Sequence, residues 1–203
     1  MKRVFILKAS KARTDNRFTI KDLPGSSGRI DLVCRCILSA LLLSKTHRVD
    51  TVFYAVLEGP PRPPITVEVD GEKVKVLPRD EFQIALVLKE ILDPNIASFP
   101  SGFRLLNKSF RDVVAEQFNK SEIYLLHSSG NDIRETFIEF QKVKKPQLAF
   151  ILGDHIGLSQ NDLEWLIQKV IRPLSVGPKE YLGSQCIFLV QEILDRVFEP
   201  KMA

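Results

Sequence analysis

Five short runs of nearly unbroken apolar residues constrain this chain more than any other feature: 3–8 (RVFILK), 51–57 (TVFYAVL), 122–126 (EIYLL), 147–152 (QLAFIL) and 172–176 (RPLSV). A strand with one face in water alternates apolar and polar side chains, whereas a strand covered by helices on both faces is continuously apolar. The runs therefore predict a mainly parallel sheet. Helical periodicity fills the intervals at 29–45, 79–92, 108–119, 131–140, 159–170 and 184–198, so the expected fold class is α/β with helices on both faces of the sheet. Residues 65–77 (ITVEVDGEKVKVL) alternate around Asp70-Gly71, and the stiff PPRPP at 60–64 leads into them. That is the pattern of a β-hairpin. We expect a small hairpin insertion at about 60–78 within a single domain covering 1–203.

The richest apolar stretch, Ile30 to Leu43, is interrupted by Asp31, Arg35 and Ser39, which argues against a membrane span. The N-terminal apolar run stops after four residues and is followed by charge, unlike a secretory leader, so a cytoplasmic location is expected. Three cysteines, Cys34, Cys36 and Cys186, fit a reducing compartment better than a disulfide framework. The three histidines have no metal-ligand spacing, and no metal site is expected.

Charge is unevenly distributed. Residues 1–48 hold eleven Lys and Arg against three Asp, a surplus of eight, while the other 155 residues sum to −4. A basic quarter on an acidic remainder suggests a face for a polyanion, with nucleic acid the first candidate, although a solvated basic surface would read the same way. Loop 10–28 ends in Pro24-Gly25-Ser26-Ser27-Gly28. Small residues before a helix can present N–H groups and the Ser26 and Ser27 hydroxyls to a phosphate, and either serine would equally serve as an N-cap. A loop of nineteen residues is usually functional. The helix that follows is apolar on two sides with a narrow polar line of Asp31, Arg35 and Ser39. Asp31 and Arg35 are spaced for an i,i+4 ion pair, or the line borders a site.

The last three apolar runs are followed by small and polar residues: Leu125-Leu126-His127-Ser128-Ser129-Gly130, then Leu152-Gly153-Asp154-His155, then Ser175-Val176-Gly177-Pro178 through Leu182 to Cys186. Ligands of open α/β sheets collect outside the carboxyl ends of strands, so a small-molecule pocket is expected there. GxGxxG and GxxxxGK[ST] motifs are absent from the sequence, which disfavours Rossmann and P-loop nucleotide sites.

Residues 11–44 (KARTDNRFTIKDLPGSSGRIDLVCRCILSALLLS), 150–160 (FILGDHIGLSQ) and 175–186 (SVGPKEYLGSQC) together resemble the TrmY family of archaeal tRNA (pseudouridine-54 N1)-methyltransferases, of the SPOUT class. The resemblance spans nearly the whole chain. It implies a C-terminal trefoil knot, S-adenosylmethionine (SAM) bound in that knot, tRNA as substrate and a homodimer. It places the cofactor loops on Leu125, Leu126, His127 and Gly130, on Leu152, Gly153 and Asp154, and on Ser175, Val176, Gly177, Pro178, Leu182 and Cys186. Methylation of pseudouridine N1 displaces a proton that a carboxylate or histidine could accept. Asp15 and Asp31 are the leading candidates, with Asp154 and His155 behind them; Arg29 and Arg35 suit phosphate or uracil-carbonyl contacts. Two other functions fit the resemblance less well: a related methyltransferase of small-subunit rRNA, and a SPOUT-like RNA-binding or ribosome-assembly protein without turnover. A bulky residue at Gly153 is expected to block SAM while sparing the fold.

Overall fold

The computed structural model describes residues 1–144 and 146–198. In chain order its elements are β1 (Lys2–Ala9), α1 (Leu23–Ser26), α2 (Ile30–Leu41), β2 (Thr51–Leu57), β3 (Ile65–Asp70), α3 (Glu81–Ile91), β4 (Phe103–Leu106), α4 (Phe110–Ala115), β5 (Ser121–Asp132), α5 (Phe137–Lys142), β6 (Gln147–Gly153), α6 (Gln160–Gln168), β7 (Arg172–Ser175) and α7 (Gly183–Phe198). One seven-stranded sheet runs in the order β4-β3-β2-β1-β6-β5-β7. All neighbouring pairs from β2 to β7 are parallel, and β3 and β4 run antiparallel at the other edge.

The continuous apolarity of the strands has the expected cause. Along β1, Phe5, Leu7 and Ala9 pack under α2, α3, α5 and α7, while Val4 and Ile6 face Phe110, Val113 and Val114 of α4 and Leu166 of α6. Both faces are covered, so polar alternation has nowhere to point. Register places Phe5 beside Phe150 and Phe150 beside Tyr124 on three adjacent strands. Their rings stack at centroid distances of 5.6 and 5.7 Å, worth about 0.5–1.5 kcal/mol per pair beyond area burial.

Two expectations need correction. Residues 65–77 do not close a hairpin: β3 forms, but its antiparallel partners are β2 and the distant β4. Asp70-Gly71 is a turn, as expected, with the N–H groups of Lys73 and Val74 returning to the Asp70 carbonyl. After it the chain sends Val74 and Leu77 into the core instead of pairing back. Gly102, at φ +84°, passes so close that a Cβ there would lie 2.4 Å from Val74 Cγ2, and its carbonyl accepts the Asp70 N–H. The first half of the alternating segment is therefore a strand of the main sheet between β2 and β4 and not one arm of a local hairpin. The helix expected over 131–140 starts later, because β5 continues to Asp132 and a 3-10 turn over Ile133–Thr136 precedes α5.

Candidate functional site

A cavity of about 650 Å³ opens at the carboxyl ends of β5, β6 and β7, closed on one side by the start of α7. Its walls are the apolar ends of the strands, Leu125, Leu126, Leu152 and Leu174, with Val176 and Leu182 from the segment leading into α7. Ser175, His127, Asp154 and Glu180 supply polar groups. Apolar walls with a few convergent polar groups, in a volume of roughly 300–1,000 Å³, are what a small-molecule site requires.

Ten of the thirteen residues expected to hold a cofactor line this cavity: Leu125, Leu126, His127, Leu152, Gly153, Asp154, Ser175, Val176, Leu182 and Cys186. Gly130, Gly177 and Pro178 do not. Residues 127–130 form an excursion in β5, since Leu126 and Asn131 both face Leu174. Gly130 returns against β7 so closely that a Cβ would meet Leu174 N at 2.5 Å; it serves strand contact. At Gly177 a Cβ would sit 3.2 Å from the Tyr181 ring. Gly153 also differs from expectation: its Cβ position lies 2.6 Å from the Gly157 carbonyl carbon and 2.9 Å from Leu158 N. A bulky residue there would displace its own loop 154–158 before reaching the cavity. Leu32 of α2, Leu163 of α6 and Tyr181 also line the cavity. Leu32 was legible as part of the helix's second apolar side and Tyr181 lies within the 175–186 motif; Leu163 carried no distinguishing signal.

Loop 10–28 is built differently from a phosphate cradle. Pro24 to Ser26 belong to the short α1. Buried Ser27 donates its hydroxyl to the Leu23 carbonyl at 2.5 Å and accepts the Ile30 N–H at 2.9 Å, which makes it a junction between helices. Ser26 donates to the Asp22 carbonyl at 2.6 Å. Gly28 and Arg29 both have positive φ, +65° and +77°, and a Cβ on Gly28 would overlap the Lys11 carbonyl at 1.9 Å. Arg29 is thus held in a conformation that non-glycine residues seldom adopt, a form of strain that clusters at functional sites.

Arg29 bonds Asp31 through Nε at 3.0 Å, and Arg35 Nη2 reaches the same carboxylate at 2.7 Å. Asp31 is buried while both guanidinium side chains are about a third exposed. Burial raises the Asp31 pKa, but hydrogen bonds from Arg29 and then Arg35 outweigh it, and the net shift is downward. Asp15 is likewise held low, mainly by Arg13, which bonds both its oxygens at 2.7 and 2.8 Å. Two carboxylates stabilised as anions are weak proton acceptors. Asp154, whose side chain is buried, accepts from Ser10 N at 2.7 Å and Ile156 N at 2.9 Å, with His155 Nδ1 3.9 Å away.

Seven of the eleven cations of the first 48 residues pair with carboxylates, and Arg3, Lys8 and Arg48 among them have largely buried side chains. Lys2, Arg3, Lys8, Arg13, Arg29, Arg35 and Arg48 all pair with carboxylates. The total charge overstated the free positive surface.

Fold and cavity together define an α/β protein with a cavity of small-ligand size at the carboxyl edge of its parallel strands. The chain belongs to the family described as "Putative SAM-dependent RNA methyltransferase", which it matches over residues 2–198. It is 40% identical over 197 residues to the tRNA (pseudouridine(54)-N(1))-methyltransferase of Methanococcus aeolicus, covering 95% of this chain and 97% of the relative. To the protein of the same name from Pyrococcus abyssi it is 41% identical over 210 residues, covering 98% and 100%. Among solved structures, Archaeoglobus fulgidus Nep1 bound to S-adenosylhomocysteine shares the fold, with a TM-score of 0.63 at 18% identity over 97% of this chain and 99% of that one. No helix among the described residues is long and apolar enough to cross a membrane.

Proposed function

We infer that this chain methylates N1 of pseudouridine 54 in tRNA, using SAM held in the strand-end cavity. The observation that carries the reading is near full-length identity of about 40% to relatives bearing that name, joined to a cavity of suitable size and lining. SAM supplies an electrophilic methyl group on a sulfonium. The cavity residues fit it: Leu125, Leu126, Leu152 and Leu174 offer apolar walls that exclude water, and Ser175, Glu180 and the strand-end backbone offer polar contacts. Such positioning and desolvation supply much of the acceleration of an in-line methyl transfer. Asp31 orients Arg29 and Arg35 toward the RNA, and Asp15 holds Arg13; neither is the base. His155, which lines the cavity beside the buried Asp154 carboxylate, receives the N1 proton on a ring nitrogen. We assign the C-terminal segment the trefoil knot that the family resemblance implies. From edge strand β7 the chain returns past Gly153 and Leu152, where Gly183 sits, to place α7 on α2. A second copy covers the exposed Phe188, Leu182 and Tyr181, and the protein works in the cytoplasm.

Mass spectrometry of nucleosides from pseudouridine-containing tRNA incubated with the protein and SAM tests the reading. We expect one methyl on pseudouridine 54 and none on a transcript with uridine there. Unmodified pseudouridine after incubation, with SAM bound to the protein, would refute it. In the same assay His155→Gln should lower the methylation rate with SAM affinity unchanged; a wild-type rate in the folded variant removes His155 from the proton path.

A further inference from the structure

We propose that Lys11, Arg17, Lys21 and Arg62 form the contact for the RNA phosphate backbone, a surface separate from the Arg29–Asp31–Arg35 cluster. This rests on the reading of the chain as an RNA methyltransferase. Its starting point is the charge that internal pairing leaves over. Of the eleven cations in residues 1–48, Lys11, Arg17, Lys21 and Lys45 have no carboxylate partner within salt-bridge distance among the described residues, and all four are exposed. Three of them lie on the loop after β1. Arg62, on the loop after β2, is also exposed and without such a partner among the described residues.

These two loops are one ledge. Gly59 N–H donates to the Ala12 carbonyl at 2.9 Å, and Thr14 N–H to the Pro60 carbonyl at 2.9 Å. The buried Thr14 hydroxyl donates to the Gly59 carbonyl at 3.1 Å and accepts the Arg62 N–H at 2.7 Å. From beneath, Lys89 of α3 donates to the Asn16 carbonyl at 2.9 Å. Prolines on both sides of Arg62 fix their own φ and restrict the residues before them. The backbone that carries these cations is ordered before RNA arrives, which reduces the entropy lost on binding.

Placement supports the same partner. Both loops leave the carboxyl ends of their strands, the edge at which the cavity opens. Ser10 N–H, at the root of the ledge, bonds Asp154 on the cavity wall at 2.7 Å. Of the carboxylates on the ledge, Glu58 pairs with the buried Lys8 and Asp15 with Arg13, while Asp22, which accepts the Gly25 N–H, keeps its charge against the four exposed cations. What remains exposed is a net positive charge, four cations against Asp22, on a rigid shelf beside the methyl-donor site. A polyanion whose backbone lies on the shelf brings a nearby nucleotide to the cavity.

Binding of a pseudouridine-containing tRNA transcript is measured against salt for wild type, Arg17→Gln/Arg62→Gln and the control Lys45→Gln/Lys120→Gln. The control removes the same charge at exposed positions on the opposite edge, before β2 and β5. Each lost phosphate contact should make the log–log salt slope shallower by about 0.7–0.9. For the ledge variant we expect a slope shallower by roughly twice that, a raised KM for tRNA, and unchanged kcat, SAM affinity and melting temperature. The control should behave as wild type. A folded ledge variant with wild-type slope and KM overturns the proposal, as does a control that loses as much as the ledge variant. Wild-type protein that binds RNA through the ledge but methylates no pseudouridine would sink the assigned reaction and leave the ledge standing.

Discussion

At Asp31 two opposing effects act on one carboxylate, and their balance sets what the residue can do. Burial favours the neutral acid, hydrogen bonds from Arg29 and Arg35 favour the anion, and the second effect wins. A group whose folded pKa lies below its unfolded value, about 3.9 for Asp, stabilises the fold above that value and loses its contribution as pH falls through the folded pKa. Removing one partner of a fully buried pair costs about 3–5 kcal/mol. Here both guanidiniums are partly exposed and can rehydrate, so Asp31→Asn should cost less, about 1–2 kcal/mol. The deficit should be full near neutrality and shrink as pH falls below about 4. Urea unfolding across that range checks both size and direction; a deficit that grows on acidification would contradict the account.

Among elements, α7 matters most because it closes the cavity while being fastened at its far end. Gln191, buried on α7, donates to the Ala40 carbonyl of α2 at 2.7 Å and accepts from Arg3 Nη1 at 2.8 Å. Arg3 and Arg48 both reach Asp195, one turn further along, at 2.5 and 2.6 Å. Gln191→Ala leaves a buried carbonyl without that donor and opens space in a packed interface. We expect a loss of roughly 1–3 kcal/mol, read from a lower urea midpoint, with the cavity end of α7 preserved and SAM affinity little changed once the protein is folded. A stability equal to wild type would show that the α7 clasp contributes nothing.

For the whole molecule, the proposed pairing of two copies rests on what the fold leaves uncovered. Phe188, 61% exposed, lies off the buried stripe of α7 and lines a second cavity of about 400 Å³ with Tyr181, Ser39, Ser184, Gln185 and Leu189. Tyr181 also lines the strand-end cavity, so a second copy seated here would adjoin the proposed site. Exposed large apolar side chains grouped in this way support the proposed pairing of two copies, for which a symmetric arrangement is the commonest solution. Sedimentation should give twice the 23.1 kDa chain mass. Phe188→Asp should shift the protein to monomer without lowering the stability of the monomer's core, and a monomeric wild type at micromolar concentration would remove the interface.

Local sequence determined whatever depends on neighbours along the chain. The parallel strands were legible because a strand buried on two faces must be apolar at every position. The cavity was legible because glycine and small polar residues follow three strand ends. Tertiary structure alone decided where pairing partners lay. The 65–77 segment turned at Asp70-Gly71 as expected, yet β3 took β4 as its partner, since a strand's hydrogen bonds go to whichever edge the fold presents. Arg3 and Lys8 were counted as surface charge and proved buried, because their carboxylates, Asp195 and Asp162, lie far along the sequence. A charge reads the same in sequence whether it faces water or a distant partner, and only the folded chain distinguishes the two.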